Sequence, residues 1–161
     1  MHPNVEQILT QAHIPFKAHT HKEITTVADM EATLPFPLTS MLKTIAFKTR
    51  DDRIVLACVA GYDRIDYKAL AQLVGTNRRH LYTLSPEEAE SILGFQIGGI
   101  CPITGRDDIT TYIDDSIEPS LADSTTVYCG SGIRTATLEI ALKDLVAVSD
   151  AQFAPIKKTP T

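Results

Sequence analysis

Apolar residues recur at helical spacing near the start of the chain, with Val5, Ile8, Leu9 and Ala12 on one face. This pattern predicts an amphipathic helix over 4–13, ended by Pro15. A short strand over 16–20 follows. Thr26 to Asp29 resembles a helix start and predicts a short helix to about Thr33. The two prolines of PFPLTS, 35–40, leave that stretch a loop. The clearest strand signal comes next: LKTIAFKT and RIVLACVA flank a turn-like RDD, which predicts a hairpin of strands 42–49 and 53–60. Asp66 can cap a helix running to Val74. HLYTL, 80–84, reads as a strand. Ser85, Pro86 and Glu88 occupy the N-cap, N1 and N3 positions of a helix to Leu93, with Gly94 as its terminator. Later strands are expected at 110–114, 126–129 and 136–141, with a short helical turn near 143–145. The polar FAPIKKTPT reads as a frayed tail, so roughly 151–161 is expected to be flexible.

Strands outnumber helices and do not alternate with them. The expected fold is therefore a single α+β domain over 1–161, built on a mixed, largely antiparallel sheet. Within 161 residues, an apolar fraction of 43% and a charged fraction of 22% fit an ordinary globular protein. No apolar run approaches a membrane span, and the first residues carry no leader pattern. The three cysteines, Cys58, Cys101 and Cys129, have no C-x-x-C spacing. Their odd number fits reduced thiols in a cytoplasmic setting. A net charge of −5 disfavours a protein that coats nucleic acid. A local basic patch is still open, with Lys43, Lys48, Arg50, Arg64, Arg78 and Arg79 as candidates.

Two features carry candidate chemistry. GFQIGGICP, 94–102, holds three of the eight glycines in six positions. Gly98 and Gly99 permit either a tight turn or a main-chain nest for an anion, and Pro102 stiffens the exit. Lys43 is the second feature. Strand alternation places it with Ile45 and Phe47 on an apolar face, where it either snorkels to water or meets a polar ligand. Weaker signals are read conservatively. His19 and His21 fit a solvated strand better than a metal site. Cys101 fits a passive small residue better than a nucleophile. Gly130-Ser131-Gly132 lacks nucleophile-elbow spacing. Asp114 fits a turn or positioning role.

Taken in order, MLKTIAFK (41–48), DRIDYKALAQLVG (63–75), SPEEAESILGFQIGGICP (85–102), TYIDDSI (111–117) and VYCGSGIRT (127–135) resemble the YbaK/prolyl-tRNA-synthetase-associated family of aminoacyl-tRNA editing domains. The resemblance implies a curved sheet tending to a barrel and surrounded by helices. It implies hydrolysis of the ester joining a wrong amino acid to tRNA, by a substrate-assisted route with no metal or cofactor. The implied partners are the tRNA acceptor end and, as a candidate, prolyl-tRNA synthetase. Residues carried over are Lys43, the loop Gly98, Gly99, Cys101 and Pro102, then Asp114 and Gly132. Around them Ile45, Phe47, Ile100 and Gly130 are expected to contact substrate, with Phe95 or Phe36 stacking on a base. The chain departs from many relatives at Leu93, where Thr is common, at Cys101, where Ser is common, and in CGSGIRT, which lacks the basic form of cysteinyl-specific members. Cysteine, alanine, serine and threonine esters all stay open as substrates. Two rival readings also stay open: a non-catalytic module binding a tRNA end or a synthetase, and a hydrolase or binder of another small anion.

Overall fold

The computed structural model describes residues 1–23, 26–123 and 125–159. Its strands are β1 (Lys17–Thr20), β2 (Met41–Thr49), β3 (Ile54–Ala60), β4 (Leu81–Thr83), β5 (Ile109–Asp114), β6 (Thr126–Gly130), β7 (Ala136–Ala141) and β8 (Gln152–Ala154). Its helices are α1 (Pro3–Gln11), α2 (Val27–Thr33), α3 (Tyr67–Val74), α4 (Pro86–Glu88) and α5 (Leu142–Ser149). A π turn, Ala89–Leu93, extends α4, and a 3-10 segment, Asp115–Asp123, follows β5.

The local signals explain most of these boundaries. The Asp66 carboxylate accepts from Ala69 N–H and starts α3. Ser85 and Glu88 form a full capping box, each side chain accepting from the other's main-chain N–H. Gly94 ends that helical stretch at φ 76°.

All eight strands join one mixed sheet in the order β1-β7-β6-β2-β3-β5-β8, with β4 also paired to β2. The β2–β3, β2–β4, β6–β7 and β1–β7 pairs are antiparallel. The β2–β6, β3–β5 and β5–β8 pairs are parallel. The sheet is mixed and stays open, as expected of a sheet that only tends to a barrel. It forks at β2, where β6 pairs with Met41 and Leu42 while β4 pairs with Phe47 to Thr49.

Alternation along β2 divides the core in two. Leu42 and Ala46 join Leu56, Cys129, Leu138 and the buried faces of α1 and α5. Ile45 and Phe47 join Val55, Ala57 and Val59 under Leu70 and Ala71 of α3. Residues on both faces of β3 are buried, which is why IVLACVA is apolar without a break.

Two expectations are corrected at the C-terminal end. The helical turn near 143–145 is a full helix, because Leu142 and Leu145 are both buried against the sheet. The stretch read as a flexible tail is fastened as far as residue 158. Its β8 pairs with β5, Ile156 is fully buried, and Lys157 bridges Ile65.

Candidate active site

The fork in the sheet creates a cavity. No strand flanks β2 between Leu42 and Phe47 on the side shared by β6 and β4. The main chain shows which residues face this gap. Met41 O accepts from Gly61 N and Thr49 N donates to Arg53 O, so odd-numbered residues address β3. Ala46 O accepts from Leu84 N, so even-numbered residues address the fork. Thr44 therefore turns its N–H and C=O towards the gap.

The gap holds a cavity of about 340 Å³. Met41 to Ala46 form one wall, and Ile97, Gly98, Ile100, Cys129, Gly130, Ile133 and Arg134 form much of the rest. Leu34, Leu42, Ile45 and Leu84 add apolar surface, while His21, Thr26, Thr83 and Thr137 add polar groups. A mostly apolar lining with a few directed polar groups is the usual form of a small-ligand site.

The glycine loop bounds this cavity through its main chain. Gly99 N–H donates to Gln96 O at 3.0 Å, which closes a turn with Gly98 at φ 90°. A Cβ at Gly99 would lie 2.3 Å from the Ile133 carbonyl oxygen. Gly130 faces Ile100 in the same way, with 2.1 Å left for a Cβ. Gly132 ties the two segments together, donating to Gly99 O at 2.7 Å and accepting from Gln96 N at 3.0 Å. The glycines thus let residues 96–100 lie backbone against backbone on 130–134.

Lys43 lies half-buried, and its ammonium donates to Asp63 O at 2.7 Å. Burial lowers its pKa, the nearby Arg64 charge acts in the same direction, and Asp63 opposes them. Lys43 and Ile45 line both this cavity and a neighbouring cleft.

Of the residues expected from sequence, Lys43, Ile45, Gly98, Ile100 and Gly130 meet at the cavity. The others sit elsewhere. Gly99 and Gly132 stand behind the lining as the joint just described. Phe47 is buried in the second core beside Tyr67. Phe95 is buried under the His2 ring, 5.3 Å away, and presents no face to a base. Phe36 stacks on Tyr128 at 3.9 Å. Pro102 is buried next to Cys101. Cys101 is fully buried, and loss of hydration pushes its thiol up to about 12, away from the thiolate form that reacts. Asp114 also lies away from the cavity. Its carboxylate accepts from Ile156 and Lys157 N–H, each at 2.9 Å, and from Ser116. It clasps the C-terminal segment and does not reach the cavity lining.

Sequence reasoning did not place His21, Thr26, Thr44, Thr83, Arg134 or Thr137 at the site. His21 Nδ1 lies 2.6 Å from Lys22 O, so this nitrogen carries the proton. In the neutral ring, Nε2 then accepts from Thr137 Oγ1 at 2.8 Å. Arg134 is held by Glu23, and its main-chain N–H donates to Gln96 Oε1. His19 departs from His21 and pairs with Glu139 at 2.9 Å. Among the described residues no three metal-binding side chains gather at one point.

A family model, the aminoacyl-tRNA editing domain, matches residues 21–148. The chain belongs to this family. An uncharacterised protein of Bacillus subtilis (strain 168), YwhH, is 32% identical over 120 residues, covering 74% of this chain and 72% of its own. Among solved structures, hypothetical protein APE2540 superposes with a TM-score of 0.79 at 21% identity, covering 96% of this chain and 99% of its own. A proposed trans-editing enzyme for prolyl tRNA synthetase superposes at 0.74 with 23% identity, covering 99% of both chains. These two structures establish the shared YbaK-like fold.

Proposed function

We propose that this chain is a trans-editing deacylase that hydrolyses the ester of mischarged tRNA carrying a small amino acid, such as cysteine, alanine, serine or threonine. One observation carries the reading: a small, mainly apolar cavity at an interrupted strand edge, walled by main chain and reached by one lysine. Its volume of about 340 Å³ is near the lower end for ligand pockets, which suits a short side chain and its ribose.

The chemistry follows from the groups present. Water adds to the ester carbonyl, and the tetrahedral oxyanion needs donors at fixed positions. Gly99 N–H is already spent on Gln96, so the donors are the N–H groups of Gly98 and Ile100. Thr44 C=O accepts from the amino acid's ammonium. Lys43 supplies a fixed positive charge beside the ester and the terminal nucleotide. The neighbouring ribose hydroxyl orients the attacking water. The carbon–oxygen bond to ribose then breaks, the ribose oxygen takes the proton, and free amino acid and uncharged tRNA leave. The apolar walls exclude large side chains by size.

The test compares tRNAs charged with alanine, serine, cysteine or threonine against those charged with leucine or phenylalanine. Release confined to one or more small residues supports the proposal. Equal release from all would remove size exclusion, and tRNA binding without any release would make the chain a binding module. A partnership with prolyl-tRNA synthetase belongs to the same proposal, tested by whether adding the synthetase alters the rate.

A further inference from the structure

Beyond the cavity lies a cleft of about 620 Å³, lined by Lys43, Ile45, Arg64, Ile65, Asp66, Tyr67, Lys68, Arg78 and Lys158. The cavity and the cleft share Lys43 and Ile45 as a common wall. Its only carboxylate among these, Asp66, is occupied in capping α3. In a chain of net charge −5, this gathering of cations is unusual.

What sets the cleft apart is that four unpaired cations gather in it. Among the described residues, Lys17, Lys48, Arg53, Arg106 and Arg134 each meet a carboxylate, while outside the cleft Lys22, Arg50, Arg79, Lys143 and Lys157 do not. Arg64, Lys68, Arg78 and Lys158 meet none. Lys68 also stands in the first turn of α3, where a cation is unfavourable for the helix. The positions are nonetheless held firmly. The Arg78 guanidinium sits 4.5 Å over the Tyr67 ring. Lys158 N donates to Arg64 O at 2.6 Å. The Asp114 clasp on residues 156 and 157 fastens the segment that delivers Lys158.

We infer that this cleft binds the phosphodiester backbone of the tRNA acceptor end, taking the strand as it leaves the cavity past Lys43. Exposed, unpaired lysines and arginines gain by displacing counterions from a polyanion, and they read no base sequence. The stem of the tRNA thus crosses the α3 face of the sheet. The inference rests on the deacylase reading only for the direction of the strand. Binding of uncharged tRNA is measured without ester cleavage, so either reading can fail alone.

The experiment measures affinity for uncharged tRNA against salt concentration. It uses wild type, a triple variant Arg64→Gln, Lys68→Gln, Arg78→Gln, and the single variant Lys158→Gln. Arg53→Gln and Arg106→Gln control for loss of charge outside the cleft, and circular dichroism checks each fold. The triple variant is expected to bind about tenfold more weakly or worse near physiological salt, with its log–log salt slope reduced by about two. Lys158→Gln is expected to reduce the slope by about 0.7, the increment for one phosphate contact. The controls should behave as wild type. Wild-type affinity and slope in a folded triple variant would overturn the inference. So would displacement of tRNA by inorganic phosphate at ionic strengths where chloride has no effect, since that marks a site for a small free anion.

Discussion

Replacing Asp114 by alanine should unfasten the C-terminal segment. The carboxylate is 1% exposed and accepts from the N–H groups of Ile156 and Lys157 and from Ser116. Ile156 is buried, so its N–H would lose the carboxylate partner it has among the described residues. An unsatisfied buried donor costs ~1–3 kcal/mol. Lys157 and Ser116 are closer to solvent and recover part of their loss. The sum is about 2–4 kcal/mol. For a chain of this length that lowers Tm by roughly 5–15 °C. Asp114→Asn keeps an oxygen acceptor and should cost about half as much. Burial by itself would raise the Asp114 pKa, but hydrogen bonds from Ser116, Lys157 and Ile156 outweigh it and hold the carboxyl below its ordinary value. The clasp is then fully effective above the unfolded value of about 3.9 and lost as pH falls through the lower folded value. The assays are thermal unfolding at pH 7 and pH 3 and hydrogen exchange over residues 152–158. An alanine variant with unchanged Tm and unchanged exchange there would refute the clasp.

Other consequences are as direct. Gly99→Ala and Gly130→Ala place a methyl about 2 Å from a carbonyl oxygen; each is expected to cost ~3 kcal/mol or more in chemical denaturation, and a wild-type midpoint would refute the backbone-on-backbone joint. All three cysteines are buried and their thiols are raised, Cys58 and Cys101 to about 12. Native protein at pH 8 should therefore resist a thiol reagent until it unfolds, and rapid labelling of Cys101 would contradict its burial. On the proposed mechanism Cys101→Ser should likewise retain deacylation, because the thiol is fully buried and is not among the groups assigned to the ester.

How much of this was visible in the chain depends on the distance over which each feature is determined. The Ser85–Glu88 capping box and the β2–β3 hairpin are local, and their residues specify them without help from elsewhere. The helix α5 begins at Leu142 after Ala141, which offers no side-chain cap, so its extent depends on Leu142 and Leu145 finding the sheet. Ile156 reads as part of a polar tail until Asp114, far earlier in the chain, supplies acceptors for it. The cavity is the least local feature. It exists because β4 and β6 dock at different parts of β2, a long-range arrangement that no motif encodes. The alternation that grouped Lys43 with Ile45 and Phe47 was correct, yet only Lys43 and Ile45 reach the gap. Likewise, the crowding of glycines was legible as a backbone feature. That Gly99 lies against the Ile133 main chain needed the partner segment in place.

The central claim is that Lys43 and the interrupted edge of β2 hydrolyse a mischarged aminoacyl ester. The most direct measurement is release of labelled amino acid from a panel of correctly and incorrectly charged tRNAs, with wild type and Lys43→Ala side by side. Selective release by wild type, slowed about 100-fold or more in a folded Lys43→Ala protein, is the expected result. Equal rates in both proteins, or no release from any ester, would contradict it.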